Sequence, residues 1–325
     1  MDGTDATLGS YLDDWLERRR SRLRPTTHHS YRQLIRCYLQ PMLGERSLPE
    51  LDRRNLELAY ARLLSSGGRA GKPLAPKTVQ YCHGVLRRAL EDAVLDGLLT
   101  TNPARLARPP RHHPDDEELD DELQVWTGQQ AATFLAFVDD QPLRALWHLA
   151  LGTGARRGEL LGLRWIDVDL DDAQVRIRRS LSAIEGVPRL LGTKTSRSRT
   201  LSIGASVVDA LRRHRTEQER RRAVAEVWHD RWGLVFTGAN GDPIDPYRIT
   251  MAFRELVRTA PVPVIRLHDL RHSNASLLLA AGVPIKVVSE RLGHTTIAMT
   301  MDVYGHVLPA MDTDAANRLD DLIHG

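Results

Sequence analysis

Apolar residues recur at helical spacing through the first hundred residues and predict a helical domain. In the first predicted helix they fall at i, i+3, i+4, i+7 and i+8: Leu8, Tyr11, Leu12, Trp15 and Leu16. Similar patterns predict helices over 8–24, 26–39, 51–64 and 77–99, with Thr26 or Thr27 as the cap of the second. No alternating stretch predicts a strand here, so we expect four helices.

Regular structure is then expected to stop at Asn102-Pro103 and Pro109-Pro110, because proline cannot continue a helix or a strand. Residues 104–124 combine prolines with an acidic run and few apolar residues, which is the composition of a linker. We therefore expect a helical domain over 1–103, a linker over 104–124 and a second domain over 125–325.

The second domain contains both the helical spacing of apolar residues and the alternating pattern of strands. Helical patterns occur over 128–138, 142–151, 157–163, 205–228, 246–258, 269–281 and 284–291, with Thr127 as a cap for the first of these. Residues 175–178 and 200–203 alternate between apolar and polar, as strands do. The fold class expected is mainly α with a small β-sheet near 165–203.

Composition narrows the class of protein. The chain has 325 residues and 27% charged residues, and no apolar run reaches the roughly 18–20 residues that a membrane-spanning helix needs. The first ten residues lack the basic and apolar regions of a secretion signal. Cys37 and Cys82 are too few for a disulfide framework or a Cys-rich zinc site. A cytoplasmic protein with no membrane partner is expected.

Charge is distributed unevenly. Residues 112–124 carry seven acidic residues and no Lys or Arg, and they separate two segments in which basic residues are in excess. Of the 45 basic residues 41 are Arg, the side chain best suited to bidentate contact with phosphate oxygens. A GC-rich genome would produce the same bias, so the composition by itself only favours a nucleic-acid partner.

Two basic motifs lie in predicted turns. Thr153-Gly154-Ala155-Arg156-Arg157-Gly158-Glu159 leads from a glycine-containing turn into a helix, which can bind an anion through its N–H groups. Thr193-Lys194-Thr195 lies between the two predicted strands, where a hairpin turn would present Lys194. Taken singly, the first motif is better explained as a surface arginine at a helix start and the second as a solvated basic turn.

Two further motifs bring histidines and a tyrosine. His268 and Arg271 in His268-Asp269-Leu270-Arg271-His272 are three residues apart and can share one helix face. His268 and His272 have the spacing of zinc ligands, but Asp269 stands where a catalytic Glu is expected, so a metal site is disfavoured. Leu292-Gly293-His294 is followed ten residues later by Tyr304.

Together these residues meet the requirements of phosphodiester cleavage without a metal. Two arginines can bind the oxygens on which negative charge develops, and such preorganised charge is usually the largest catalytic contribution. A tyrosine phenol can form a reversible phosphoester. Lysine or histidine can give the departing oxygen its proton. No cofactor is needed.

The sequence resembles the tyrosine recombinases, or phage integrases. The segment TGARRGELLGLRW (153–165) resembles the first arginine box, HDLRH the His-x-x-Arg box and LGHTTIAMTMDVYGH the final box. Residues 8–103 resemble the helical, SAM-like core-binding domain, and 125–325 the mixed α/β catalytic domain. The family's additional N-terminal arm-binding domain is expected to be absent.

The resemblance implies site-specific cleavage and rejoining of double-stranded DNA through a 3′-phosphotyrosine. Its implied catalytic residues are Arg156, Lys194, His268, Arg271, His294 and the nucleophile Tyr304, with Glu159 in support and no cofactor or metal. The implied assembly is a tetramer on paired DNA sites, with the segment after Pro309 docking between protomers and an accessory bending or directionality factor as a further partner. A type IB topoisomerase and a DNA-binding protein without catalysis are the alternatives.

Overall fold

The structure is a computed structural model that describes residues 6–110, 124–193, 198–298, 300–301 and 319–324. The chain divides into two compact units, Met1–Glu122 and Leu123–Gly325. Both units are dominated by helices and the strands are short, which confirms the expected fold class. None of the described helices is both long enough and apolar enough to cross a membrane.

The first unit is built from the predicted helices. They are α1 (Leu8–Arg18), α2 (Pro25–Leu34), α3 (Gln40–Leu43), α4 (Arg53–Ser66) and α5 (Pro76–Leu95). A π-helical turn, Ile35–Leu39, joins α2 to α3, so the second predicted helix extends further than expected. The predicted cap at Thr26 or Thr27 is wrong, because Pro25 already occupies the first turn, where its fixed φ is favourable.

Side chains of α1 form hydrogen bonds to α5 within this unit. The hydroxyl of Tyr11 donates to the backbone oxygen of Ala89 at 2.9 Å, and the Trp15 indole donates to Asp92 at 2.6 Å. Both aromatic residues are at most 5% exposed. Their polar ends are thus satisfied inside the core, as burial of such side chains requires.

The core of this unit continues past residue 103. Ala104 and Ala107 are buried in it, and the Asn102 side chain accepts from the Ala104 N–H to start the short 3₁₀ turn Pro103–Arg105. The first residues of the segment with linker composition therefore pack with the helical unit. The acidic run lies outside the described residues.

In the described residues, the second unit contains seven α-helices between 128 and 292, a further helical segment over 319–324 and five short strands. The helices are α6 (Gly128–Phe137), α7 (Arg144–Thr153), α8 (Arg157–Leu161), α9 (Ala205–Val224), α10 (Pro246–Thr259), α11 (Asp269–Ala280) and α12 (Ile285–Leu292). The strands are β1 (Val168–Asp169), β2 (Gln174–Ile177), β3 (Arg179–Ile184), β4 (Val187–Gly192) and β5 (Arg199–Ser202). The predicted cap of α6 is confirmed, since Thr127 accepts from the Gln130 N–H.

The strands form two antiparallel sheets. One has the order β1-β2-β5, with Val175 opposite Leu201, and the other is the β3-β4 hairpin. The expectation of a single turn between the two predicted strands is wrong, because this second hairpin is inserted between them. It closes at Glu185 and Gly186, whose φ values of +52° and +75° fit a two-residue type I′ turn. Lys194 lies outside the described residues, between β4 and β5.

Gly158 in α8 and Gly162 directly after α8 let β3 approach the backbone of this helix. A Cβ on Gly158 would lie 2.8 Å from the oxygen of Leu181, and one on Gly162 would lie 2.8 Å from the Leu181 nitrogen. Real side chains do not tolerate contacts this short, so glycine is required at both positions. The β3-β4 hairpin therefore packs directly on the helix that follows Arg156.

Candidate active site

The turn that carries Arg156 is pressed against α11 and α12. Gly154 ends α7 with φ +61°, in the left-handed region that favours glycine. A Cβ here would lie 2.6 Å from Leu292 Cδ2 and 2.7 Å from Asn274 Oδ1. The glycine predicted as part of an anion-binding turn thus lets three segments of the unit meet at one point.

Glu159 fixes Arg156 from both its backbone and its side chain. One carboxylate oxygen accepts from the Arg156 N–H at 2.9 Å and the other accepts from Nη1 at 3.1 Å. Glu159 is only 2% exposed. Burial raises the pKa of its carboxyl, but hydrogen bonds and charge from Arg199 and Arg156 outweigh this and hold the pKa below its usual value. Glu159 is therefore a buried anion between two cations.

Arg199, at the start of β5, is a residue that the sequence analysis missed. Its Nη2 donates at 2.7 Å to the Glu159 oxygen that also accepts from the Arg156 N–H, and its Nε donates to the backbone oxygen of Arg291 at 2.7 Å. A signal for it exists in the strand pattern, because Arg199 shares a face with Leu201, which is buried. A cation on the inward face of a strand implies an acidic partner nearby.

Arg271 and His268 enter the same region from the start of α11. Arg271 is 4% exposed and donates through Nη1 to the backbone oxygen of Gly154 at 2.8 Å. His268 lies edge-to-face on His272, with ring centroids 5.0 Å apart. Desolvation, followed by the charge of Arg271, lowers the pKa of His268 below its ordinary value. Arg271 thus reaches the turn before Arg156, and the charge of Arg156 also acts on His268.

His294 follows the end of α12 and completes the cluster. Its Nδ1 lies 2.8 Å from Thr300 Oγ1, which orients the ring. Arg156 Nη2 lies 3.5 Å from the backbone oxygen of Gly293, next to His294 in the chain. Desolvation lowers the pKa of His294 to about 4, with further lowering by the Arg271 and Arg156 cations. The imidazole is therefore neutral at pH 7.

The structure brings Arg156, Glu159, His268, Arg271 and His294 into one cluster. Two guanidinium groups with fixed donors and a neutral imidazole form a site that suits an anion carrying several oxygens. Within the part of the chain that the structure describes, no three His, Cys, Asp or Glu side chains form a group that could hold a metal ion. Lys194 and Tyr304, the remaining predicted site residues, lie outside the described residues.

Comparison with known proteins matches both parts of the chain. Residues 124–311 match the model of the phage integrase family, and residues 7–64 match that of the phage integrase N-terminal SAM-like domain. A tyrosine recombinase XerC-like protein of Caldanaerobacter subterraneus subsp. tengcongensis is 30% identical, over 99% of this chain and 85% of its own length.

Solved structures share the fold. The Tn1549 transposon integrase in complex with transposon right end DNA superposes with a TM-score of 0.75 at 23% identity, over 95% of this chain and 99% of its own. A lambda integrase tetramer bound to a Holliday junction gives a TM-score of 0.61 at 17% identity, over 90% of this chain and 78% of its own. By its sequence and its fold, this chain belongs to the phage integrase family and is a site-specific recombinase of the tyrosine type.

Proposed function

We propose that this chain cleaves and rejoins double-stranded DNA through a 3′-phosphotyrosine bond formed on Tyr304, without metal or ATP. The observation that carries the proposal is the meeting of Arg156, Arg271 and His294 in one cluster. Integrases of the same fold have been solved with DNA bound. The covalent bond would conserve the energy of the broken phosphodiester, so that rejoining needs no further energy source.

Arg156 and Arg271 are proposed to bind the non-bridging oxygens of the scissile phosphate. Each guanidinium is already held by the protein, Arg156 by Glu159 and Arg271 by the Gly154 oxygen. Donors that are fixed before the reaction do not have to reorganise when negative charge develops in the transition state. The two arginines would therefore stabilise the transition state more than the ground state.

His294 and His268 are proposed to assist as neutral imidazoles. Thr300 engages Nδ1 of His294, which leaves Nε2 for a phosphate oxygen. The lowered pKa of His268 makes its ring neutral at pH 7 and able to accept a proton. We assign His268 to the proton that leaves Tyr304, because a phenol with a pKa near 10 needs such help.

Lys194 is proposed to complete the proton balance. As the Tyr304 oxygen bonds to phosphorus, the bond to the 5′ oxygen of the sugar breaks and that oxygen must gain a proton. An ammonium group can supply this proton. Lys194 is the residue proposed to do so, because it matches the catalytic lysine of the tyrosine recombinases. The reverse steps, with the 5′ hydroxyl of a partner strand as nucleophile, would release Tyr304.

A second copy of this chain is the proposed partner of the C-terminal segment. Residues 319–324 are helical, and Leu319, Leu322 and Ile323 are 58%, 84% and 63% exposed. A helix this short gains little stability unless its apolar side chains are covered. We propose that it docks onto a neighbouring protomer in a tetramer on two DNA sites. Any bending or directionality factor would act on that assembly rather than on the chemical step.

Covalent trapping tests the chemistry. The substrates are overlapping nicked duplexes that together cover the DNA flanking the coding region. The native chain should form a covalent adduct with one of them that survives denaturation. Tyr304→Phe should bind the same duplex but form no adduct. Tyr247→Phe is the matched control, since Tyr247 is 66% exposed at the start of α10, and it should form the adduct normally. An adduct on the Tyr304→Phe chain would disprove the assignment of the nucleophile.

The same preparation separates the alternatives. If the chain relaxed a supercoiled plasmid that contains none of the DNA flanking the coding region, a type IB topoisomerase would be favoured. DNA binding with no adduct on any duplex would favour a protein without catalysis.

A further inference from the structure

Arg199 contacts the cluster of Arg156, Glu159, His268, Arg271 and His294, but the proposed chemistry gives it no role. Its side chain is 11% exposed, so it is not available to a large substrate. Its guanidinium nevertheless makes three directed contacts. Nη1 and Nη2 bind the two oxygens of Glu159 at 3.2 and 2.7 Å, and Nε donates to the Arg291 oxygen at 2.7 Å.

These contacts run in two directions. On one side, Arg199 binds the same carboxylate that fixes the backbone and side chain of Arg156. On the other side, it binds the last turn of α12. A Cβ on Gly293 would lie 3.0 Å from Arg199 Nη1, so the guanidinium lies against the backbone immediately before His294.

We propose that Arg199 is a positioning residue that sets Arg156 and His294 at the correct separation for one phosphate, by binding Glu159 and the end of α12 at once. The inference rests on the proposed function. The planar fork of arginine suits the role, because it can donate bidentately to a carboxylate while a third N–H points to a carbonyl. A lysine ammonium is compact and cannot span both partners.

The test is single-turnover cleavage of the nicked duplexes by the full chain, measured beside DNA affinity and thermal stability. Arg199→Met should slow cleavage by about 10²-fold, because a misplacement of about 1 Å in a reacting site has effects of that size. The dissociation constant for the same duplex should stay unchanged. Arg199→Lys keeps the charge and should cleave more slowly than the native chain but faster than Arg199→Met.

Arg164 offers a matched control. It is 25% exposed and pairs with Asp167, a carboxylate that is 3% exposed, in the same i, i+3 geometry as Arg156 and Glu159. Arg164→Met should lose thermal stability and keep the cleavage rate at a temperature where it is folded. Equal loss of cleavage in Arg164→Met and Arg199→Met would overturn the inference, since both would then reflect general damage.

A double-mutant cycle distinguishes positioning from a separate structural role. If Arg199 acts through Arg156, then Arg199→Met should have a much smaller effect in an Arg156→Lys chain than in the native chain. Independent effects that multiply would overturn the inference, as would native cleavage by Arg199→Met. Absence of any adduct with the native chain would contradict the proposed function itself.

Discussion

Two clusters in the second unit share one design. In the Glu159 cluster, a buried carboxylate binds Arg156 three residues before it and Arg199 from a strand. In the Asp167 cluster, a buried carboxylate binds Arg164 three residues before it, and Arg178 lies 3.5 Å away just before β3. In both clusters, cations on two segments compensate a buried anion.

The difference lies in what the second arginine also touches. Arg199 is buried and continues to the end of α12, beside His294. Arg178 is 56% exposed and joins Asp167 to the edge of a hairpin. The same local arrangement is thus structural in one place and, in the other, connects two groups proposed to bind the phosphate. We propose that an ion pair of this kind serves the chemistry only where its second arginine also makes the longer connection.

Removal of each carboxylate is expected to give the largest effects. Glu159→Gln leaves two arginines without their anion and should cost about 3–5 kcal/mol of unfolding free energy, as breaking a buried pair does. Cleavage should fall by at least about 10²-fold, because Arg156 loses its orientation. Asp167→Asn should be destabilised similarly but cleave at the native rate. Chemical denaturation and single-turnover cleavage measure the two quantities.

Parallel behaviour of the two variants would break the comparison. If Asp167→Asn also lost cleavage at a temperature where it is folded, the Glu159 cluster would have no special connection to the chemistry.

The turn before Arg156 is the next largest site of sensitivity. Gly154→Ala places a Cβ within 2.7 Å of Leu292 and Asn274 at φ +61°, and should cost about 3 kcal/mol through strain and overpacking. Gly186→Ala, at φ +75° with open space around it, isolates the backbone cost and should lose only about 1 kcal/mol. Thermal unfolding in parallel measures the difference. Equal losses would mean that close packing of α11 and α12 on this turn is unimportant.

Much of the fold was predictable because its signals are local. The start of α6 is predictable because Thr127 caps the N–H of Gln130, only three residues away. The first helix is predictable because the apolar residues around Trp15 recur at helical spacing. The β3-β4 hairpin was missed because Arg-Ser-Leu-Ser-Ala-Ile has a single β-branched residue. It is stabilised by packing on Gly158 and Gly162, which no window of sequence displays.

The site divides in the same way. The motifs indicated Arg156, His268, Arg271 and His294, because each lies in a short recognisable segment. Arg199 was missed because its partner Glu159 is forty residues away in the chain. Only the folded chain shows that the two meet.

The pKa of His294 gives a smaller but more direct measure of how the Glu159 cluster acts on the site. This pKa should be about 4, and loss of Arg156 or Arg199 should raise it, because Arg271, Arg156, His272 and Arg199 all lower it. An unfolded histidine titrates near 6.5, so the unfolded chain binds the proton first as pH falls. This contribution to stability is therefore full above pH 6.5 and is lost toward pH 4. NMR titration measures the pKa, and Arg164→Met should leave it unchanged. A native value near 6.5 would contradict the proposed surroundings of the ring.

Replacement of the exposed arginine is expected to have the smallest effect. Arg178→Met removes the weaker of the two contacts to Asp167, and an ion pair with one partner more than half exposed contributes about 0–1 kcal/mol. Stability should change by less than about 1 kcal/mol and cleavage should be native, whereas Arg199→Met slows cleavage strongly at the equivalent position of the other cluster. If Arg178→Met slowed cleavage as much, the hairpin edge would also transmit position to the site. The chemistry would then depend on both clusters, and burial of the second arginine would not be what separates them.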